Sequence, residues 1–167
     1  MLIFILSFGT IFLHKKNQII FEKSQKFYGI FYEKNLYFSK KIKPTKQVKS
    51  WLKHFEVQNF DVIKKCKKNK NLNPKICQKC YKNYCELHVE NQRILVLNGR
   101  NKLSKICRKF KAKKFDAIVN MTKKYQIPHC FVKYNNPKII IDNSDFLLKG
   151  TNFLEIKNKK LIYFYNN

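Results

Sequence analysis

Glycine is scarce in this 167-residue chain, with four in all, and alanine scarcer still, with only Ala112 and Ala117. So few glycines exclude a phosphate-cradling loop. Acids number ten and nowhere cluster as acid–base catalysis requires, and no serine sits in a nucleophile elbow. His129-Cys130 is a neighbouring pair that a strand would point to opposite sides, so no nucleophile and base meet there. These absences argue against an enzyme and against a small-molecule substrate. Long apolar runs are missing too. The longest, Met1 to Leu13, is broken by Ser7, Gly9 and Thr10 and ends at His14-Lys15-Lys16, short of the roughly 20 residues that span a bilayer. Without a positive leader, a cleavage site or presequence composition, it reads as a strand or helix packed on this domain or a neighbour, with membrane contact as the alternative.

What is present is positive charge. Thirty-six basic residues give a net charge of +26, while 44% of the residues are apolar, enough for a core. Such a surplus opposes compaction unless a polyanion neutralises it, which makes nucleic acid the first candidate partner and an anionic membrane the second. Lysine outnumbers arginine 33 to 3 beside abundant Asn, Ile, Phe and Tyr, the amino acids of AT-rich codons. The bias points to an organellar, mitochondrial genome. Arginine and lysine differ at two-pronged phosphate contacts, so Arg93, Arg100 and Arg108 carry more information than any lysine.

The pattern divides the chain into an N-terminal extension over 1–45, a basic core over 46–125 and a β-rich C-terminal extension over 126–167. Aromatics and lysines interleave from Ile19 to Ile42, a mixture that can stack on and neutralise RNA. Within the core, Asn59 caps an expected helix with Val62, Ile63 and Cys66 as its apolar stripe, and a strand follows over Tyr81 to Leu87. Ile94-Leu95-Val96-Leu97 ends in Asn98-Gly99, the two positive-φ positions of a type I′ turn, which predicts a hairpin returning along Lys102 to Ile106. Phe115, Ile118 and Val119 predict a helix over 111–125. Short β-prone runs at Cys130–Tyr134, Lys138–Ile141, Phe153–Ile156 and Leu161–Tyr165 close the chain.

Six cysteines in a lysine-rich chain without a secretory signal are expected as free thiols or metal ligands. Cys77, Cys80, Cys85 and His88 supply four soft ligands within twelve residues, the candidate zinc set. Their spacing matches no common finger, and a strand through them would send them to alternate faces, so half-buried cysteines with no cofactor are the favoured reading. The charge is more one-sided: 16 lysines and 3 arginines between Lys49 and Lys114 face only Glu56, Asp61, Glu86 and Glu90. That surplus favours phosphate binding.

Lys49-Ser50-Trp51-Leu52-Lys53-His54-Phe55-Glu56-Val57, then Val62-Ile63-Lys64-Lys65, Pro74-Lys75 to Lys82, and Ile94 to Arg100 occur in the order and spacing of the S-nineteen family of small-ribosomal-subunit proteins. The stretch from Lys49 to Ile118 resembles that family, with Leu97 in place of its usual histidine and both glycines of its closing motif lost over Phe110 to Ile118. The resemblance implies an α+β fold, a small antiparallel three-stranded sheet with a packed helix, seated on rRNA in the head of the small subunit beside neighbouring head proteins. It implies rRNA contacts at Lys49, Ser50, Trp51, Lys53, Lys64, Lys65, Lys79 and Lys82, joining the hairpin residues Asn98, Gly99, Arg100, Lys102, Lys105, Lys113 and Lys114. A rival resemblance, to the S-fourteen ribosomal family, lies in Asn98-Gly99-Arg100, Arg108-Lys109-Phe110 and Ile127-Pro128. Outside the ribosome, Met1 to Leu13 and the aromatic segment after it suit an accessory subunit of a mitochondrial inner-membrane complex.

Overall fold

Ile94 to Leu97 are all fully buried because their strand is covered on both faces. The computed structural model describes residues 16–67, 74–99, 107, 110–111, 113–122 and 126–165. In chain order its elements are β1 (Gln18–Phe21), β2 (Tyr28–Tyr32), β3 (Asn35–Phe38), α1 (Lys46–Phe55), β4 (Phe60–Val62), β5 (Ile76–Cys80), β6 (Tyr84–Val89), β7 (Gln92–Leu97), β8 (Ala117–Asn120), α2 (His129–Asn135), β9 (Ile139–Ile141), α3 (Asn143–Lys149), β10 (Asn152–Lys157) and β11 (Lys160–Tyr165). One sheet has the order β11-β10-β1-β2-β3-β4 and the other β5-β6-β7-β8-β9. Residues from the two chain ends share the first sheet, where β1 pairs antiparallel with β10 from Gln18 opposite Glu155 to Phe21 opposite Asn152.

The two sheets face each other across one core. Ile19, Phe21 and Ile30 from the first meet Leu87, Val89, Ile94, Val96 and Val119 from the second. Because strand side chains alternate, the intervening residues build two outer cores. Ile20, Phe31 and Phe38 pack under Val48 and Phe55 of α1, while Leu95, Leu97 and Ile118 pack under Phe110, Phe115 and Phe131 of α2. Each fully buried Leu, Ile or Phe contributes about 1.5–3 kcal/mol, so sheets covered on both sides repay continuous apolar strands. Polar bolts also cross the central core: the Tyr28 hydroxyl donates to Gln78 Oε1 at 2.6 Å, and Tyr32 donates to Glu90 at 2.8 Å.

The architecture corrects the expected fold. The chain is not a small three-stranded sheet with one packed helix but a four-layer sandwich, helix on sheet on sheet on helix. Both edges of β7 are occupied, by β6 antiparallel and by β8 parallel, so no strand returning from Asn98-Gly99 can pair with it. Neither Asn98 nor Gly99 has a positive φ. Two-residue turns with two positive φ angles do occur, at Glu33-Lys34 between β2 and β3 and at Asn158-Lys159 between β10 and β11.

Three predicted elements change type. The stretch after Asn59 is strand β4, which fills the open edge of β3 in parallel, and Ile63 enters the central core. Within the expected helix over 111–125, Ala117 to Asn120 form β8 between β7 and β9, with Val119 on one face and Ile118 on the other. Cys130 to Tyr134 belong to helix α2, because a connection between parallel strands such as β8 and β9 must cross over a sheet face. The first well-capped helix is instead α1, with Thr45 Oγ1 accepting from the Val48 amide and Glu56 in the left-handed region at its end. The later strands Ile139–Ile141, Asn152–Lys157 and Lys160–Tyr165 coincide with the β-prone runs.

Candidate nucleic-acid interface

Strand β5 is an edge of its sheet, and the chain leaving β4 runs alongside it. The Gln78 amide donates to the Lys64 carbonyl at 2.9 Å and the Cys66 amide to the Gln78 carbonyl at 3.1 Å, so Lys65 lies directly opposite Gln78. This backbone ladder brings Lys64 and Lys65 beside Lys79 on the same edge, and Lys82 follows in the turn to β6. All four lysines are exposed and form no ion pair among the described residues. Other cations are engaged: Lys75 meets Glu33 at 2.6 Å, Lys138 meets Asp116, and Lys149 meets Asp145 at 2.9 Å.

The turn itself is held from three directions. Tyr81 N–H donates to the Tyr84 carbonyl at 2.8 Å, and Cys80 is joined to Cys85 across the two strands. The amides of Asn98 and Gly99, at 3.1 and 3.0 Å, both donate to the Asn83 carbonyl. Asn98-Gly99 therefore serves as a clamp on a neighbouring turn. Tyr81, 40% exposed, stacks on Tyr84 with ring centres 4.5 Å apart, and Phe110 holds Tyr84 edge-on at 4.8 Å. The Lys79 ammonium sits 5.5 Å from the Tyr81 ring centre, and the hydrogen bond with Tyr81 holds its pKa above the ordinary value.

Other candidate contacts lie elsewhere. Lys49, Ser50 and Lys53 are exposed on α1, on the outer face of the other sheet. Trp51 is half-buried between Phe38, stacked at 5.8 Å, and Phe27, edge-on at 5.6 Å, so its ring belongs to the packing of α1. Lys113 binds Glu86 at 2.5 Å and lies over the Phe110 ring, while Lys114 is exposed. Arg100, Lys102 and Lys105 fall outside the described residues.

The zinc set does not assemble. Cys77 is bonded to Cys66 and Cys80 to Cys85, and the third disulfide joins Cys107 to Cys130, which corrects the expectation of free thiols. The strand register puts Cys77 and His88 on the outer face while Cys85 faces the central core. Among the described residues no group of three or more His, Cys, Asp or Glu could hold a metal.

No family model, curated protein or solved structure matches the chain. A cleft of ≈ 650 Å³ also opens on the outer face of the first sheet, between α1 and the α3–β10 connection, with Trp51, Phe153 and Phe164 in its lining. Tyr81 was not among the sequence-derived candidates. Its signal was an aromatic at a strand-to-strand turn between two lysines, Lys79 and Lys82, in a segment the sequence placed inside one strand.

Proposed function

We propose that this protein is a non-catalytic RNA-binding component of a ribonucleoprotein particle, a mitochondrial ribosome, with rRNA as its ligand and other ribosomal proteins around it. The observation that carries the reading is the exposed group of Lys64, Lys65 and Lys79 along one sheet edge with Lys82 in the turn that follows, in a chain of net charge +26. Neutralising four phosphates of a single strand gives a log–log salt slope of about −3. Placement in the small subunit rests on the S-nineteen resemblance alone, since the three-stranded fold implied by it is not the fold of this chain, and the S-fourteen family is its rival. Sedimentation of organelle lysate at high salt is the test: the protein should travel with the small subunit, and its recovery only at the top of the gradient rejects the reading.

A second reading, an accessory subunit of an inner-membrane complex, draws on Leu147 and Leu148, which are 76% and 83% exposed on α3. Among the described residues no helix is long and apolar enough to cross a membrane. This reading requires that deletion of residues 1–16 release the protein from membranes while leaving ribosomes unchanged.

A further inference from the structure

We propose that the β5–β6 turn is a stacking site for one unpaired nucleobase, with Tyr81 as the platform and Lys79 and Lys82 as the cations for the flanking phosphates. This rests on the RNA-binding reading and narrows its ligand to a single-stranded or bulged segment.

An exposed aromatic side chain usually loses rotamer freedom when it binds, which weakens it as a platform. Here that freedom is already restricted. Tyr81 lies on Tyr84 at 4.5 Å with 28° between the rings, and Tyr84 is buried against Phe110. The Cys80–Cys85 crosslink closes the turn below the stack, and the paired amides of Asn98 and Gly99 fix Asn83 beside it. A base added to this column extends an existing stack. Lys79 holds its ammonium over the Tyr81 ring, 5.5 Å from the ring centre, and exposed Lys82 is the next residue in the chain, so positive charge lies at the platform and a stacking base moves the Lys79 ammonium from the ring to a flanking phosphate. Bases inside an A-form duplex are stacked on one another and present only their edges, whereas a splayed base offers its whole face. The site therefore discriminates by strandedness and tolerates any base.

The test uses the full chain with an eight-nucleotide oligouridine and a duplex RNA of equal phosphate number, by fluorescence anisotropy across a salt series. The single strand should bind more tightly. Tyr81→Ala should weaken it about tenfold with an unchanged salt slope, while Tyr81→Phe retains it. Lys82→Ala should instead lower the slope by about 0.7. Irradiation of the wild type with a 5-iodouridine-substituted strand should crosslink Tyr81, a readout that needs no variant to fold. If the single strand binds, weakens on mutation of Lys64 and Lys65, yet ignores Tyr81→Ala and crosslinks elsewhere, the stacking site is overturned while RNA binding stands. If neither RNA binds, the RNA-binding reading fails and the stacking site with it.

Discussion

Gly99 donates its amide to the Asn83 carbonyl at 3.0 Å, and a Cβ on Gly99 would overlap the Asn83 side chain and lie 2.5 Å from Asn83 Cα. Glycine is required by this close approach, since φ is not positive. Gly99→Ala should push the two strand ends apart and lower stability by about 1–3 kcal/mol in urea denaturation. Asn98→Ala, at an exposed position, should change it by less than about 0.5 kcal/mol. Equal effects at the two positions would contradict the clamp.

The Tyr28 hydroxyl is buried in the central core and donates to Gln78 Oε1, whose amide nitrogen donates to the Ser39 carbonyl at 2.7 Å. Burial holds the Tyr28 pKa well above its ordinary 10.0. A raised folded-state pKa contributes stability that is complete below the unfolded value and is lost as pH rises through the folded one. Unfolding should therefore become easier above about pH 10, with Tyr28 ionising in step with the transition. Tyr28→Phe should flatten the alkaline arm while costing about 1–3 kcal/mol at neutral pH, because Gln78 loses its partner. Absorbance of tyrosinate alongside circular dichroism follows both.

Glu86 is 7% exposed in its side chain, with Lys113 at 2.5 Å and the Arg93 guanidinium at 4.0 Å. Lys113 thus serves the fold. Lys113→Met should leave a buried carboxylate poorly matched and cost about 1–2 kcal/mol, a value reduced by the partial exposure of the lysine. Exposed Lys114→Ala should cost less than about 0.5 kcal/mol. Adding Glu86→Gln to Lys113→Met should recover part of the loss, and a strictly additive double mutant would argue against the pair.

All six cysteines are paired, so alkylation of the denatured, unreduced protein should label none of them. Cys107–Cys130 spans 23 residues and ties the crossover after β7 to α2. The substitutions Cys107→Ala and Cys130→Ala together should lower stability by about 3 kcal/mol on the loop-entropy argument. Labelling of six thiols without reductant would remove the disulfides from the structure.

Electrostatic contact with RNA should separate the two lysine groups. Lys64→Ala with Lys65→Ala should reduce the log–log salt slope by about 1.4 for a single strand, whereas Lys49→Ala with Lys53→Ala, on the far outer face, should leave it near the wild type. A larger loss from the α1 pair would move the interface to that face.

Charge and local chain chemistry were legible in the sequence. The lysine surplus and the last two strands around Asn158-Lys159 could be read directly, because β-prone runs joined by a short polar turn need no distant partner. The helix α1, which the sequence reading did not predict, has local signals of its own in Thr45 and the spacing of Val48, Trp51, Leu52 and Phe55. Elsewhere tertiary structure decided. Ile94 to Leu97 show no alternation because both faces of β7 are covered, so an apolar run ending in Asn-Gly looked like a hairpin. Val62-Ile63 and Ile118-Val119 fit helical spacing equally well, and only the open edge of β3 and the slot beside β7 made them extended. The pairing of Cys66 with Cys77 and of Cys107 with Cys130, and the gathering of Lys64 and Lys65 beside Lys79, join positions on different chain segments. Short-range pattern determines what a segment can become, while the partners that bury its two faces choose among those outcomes.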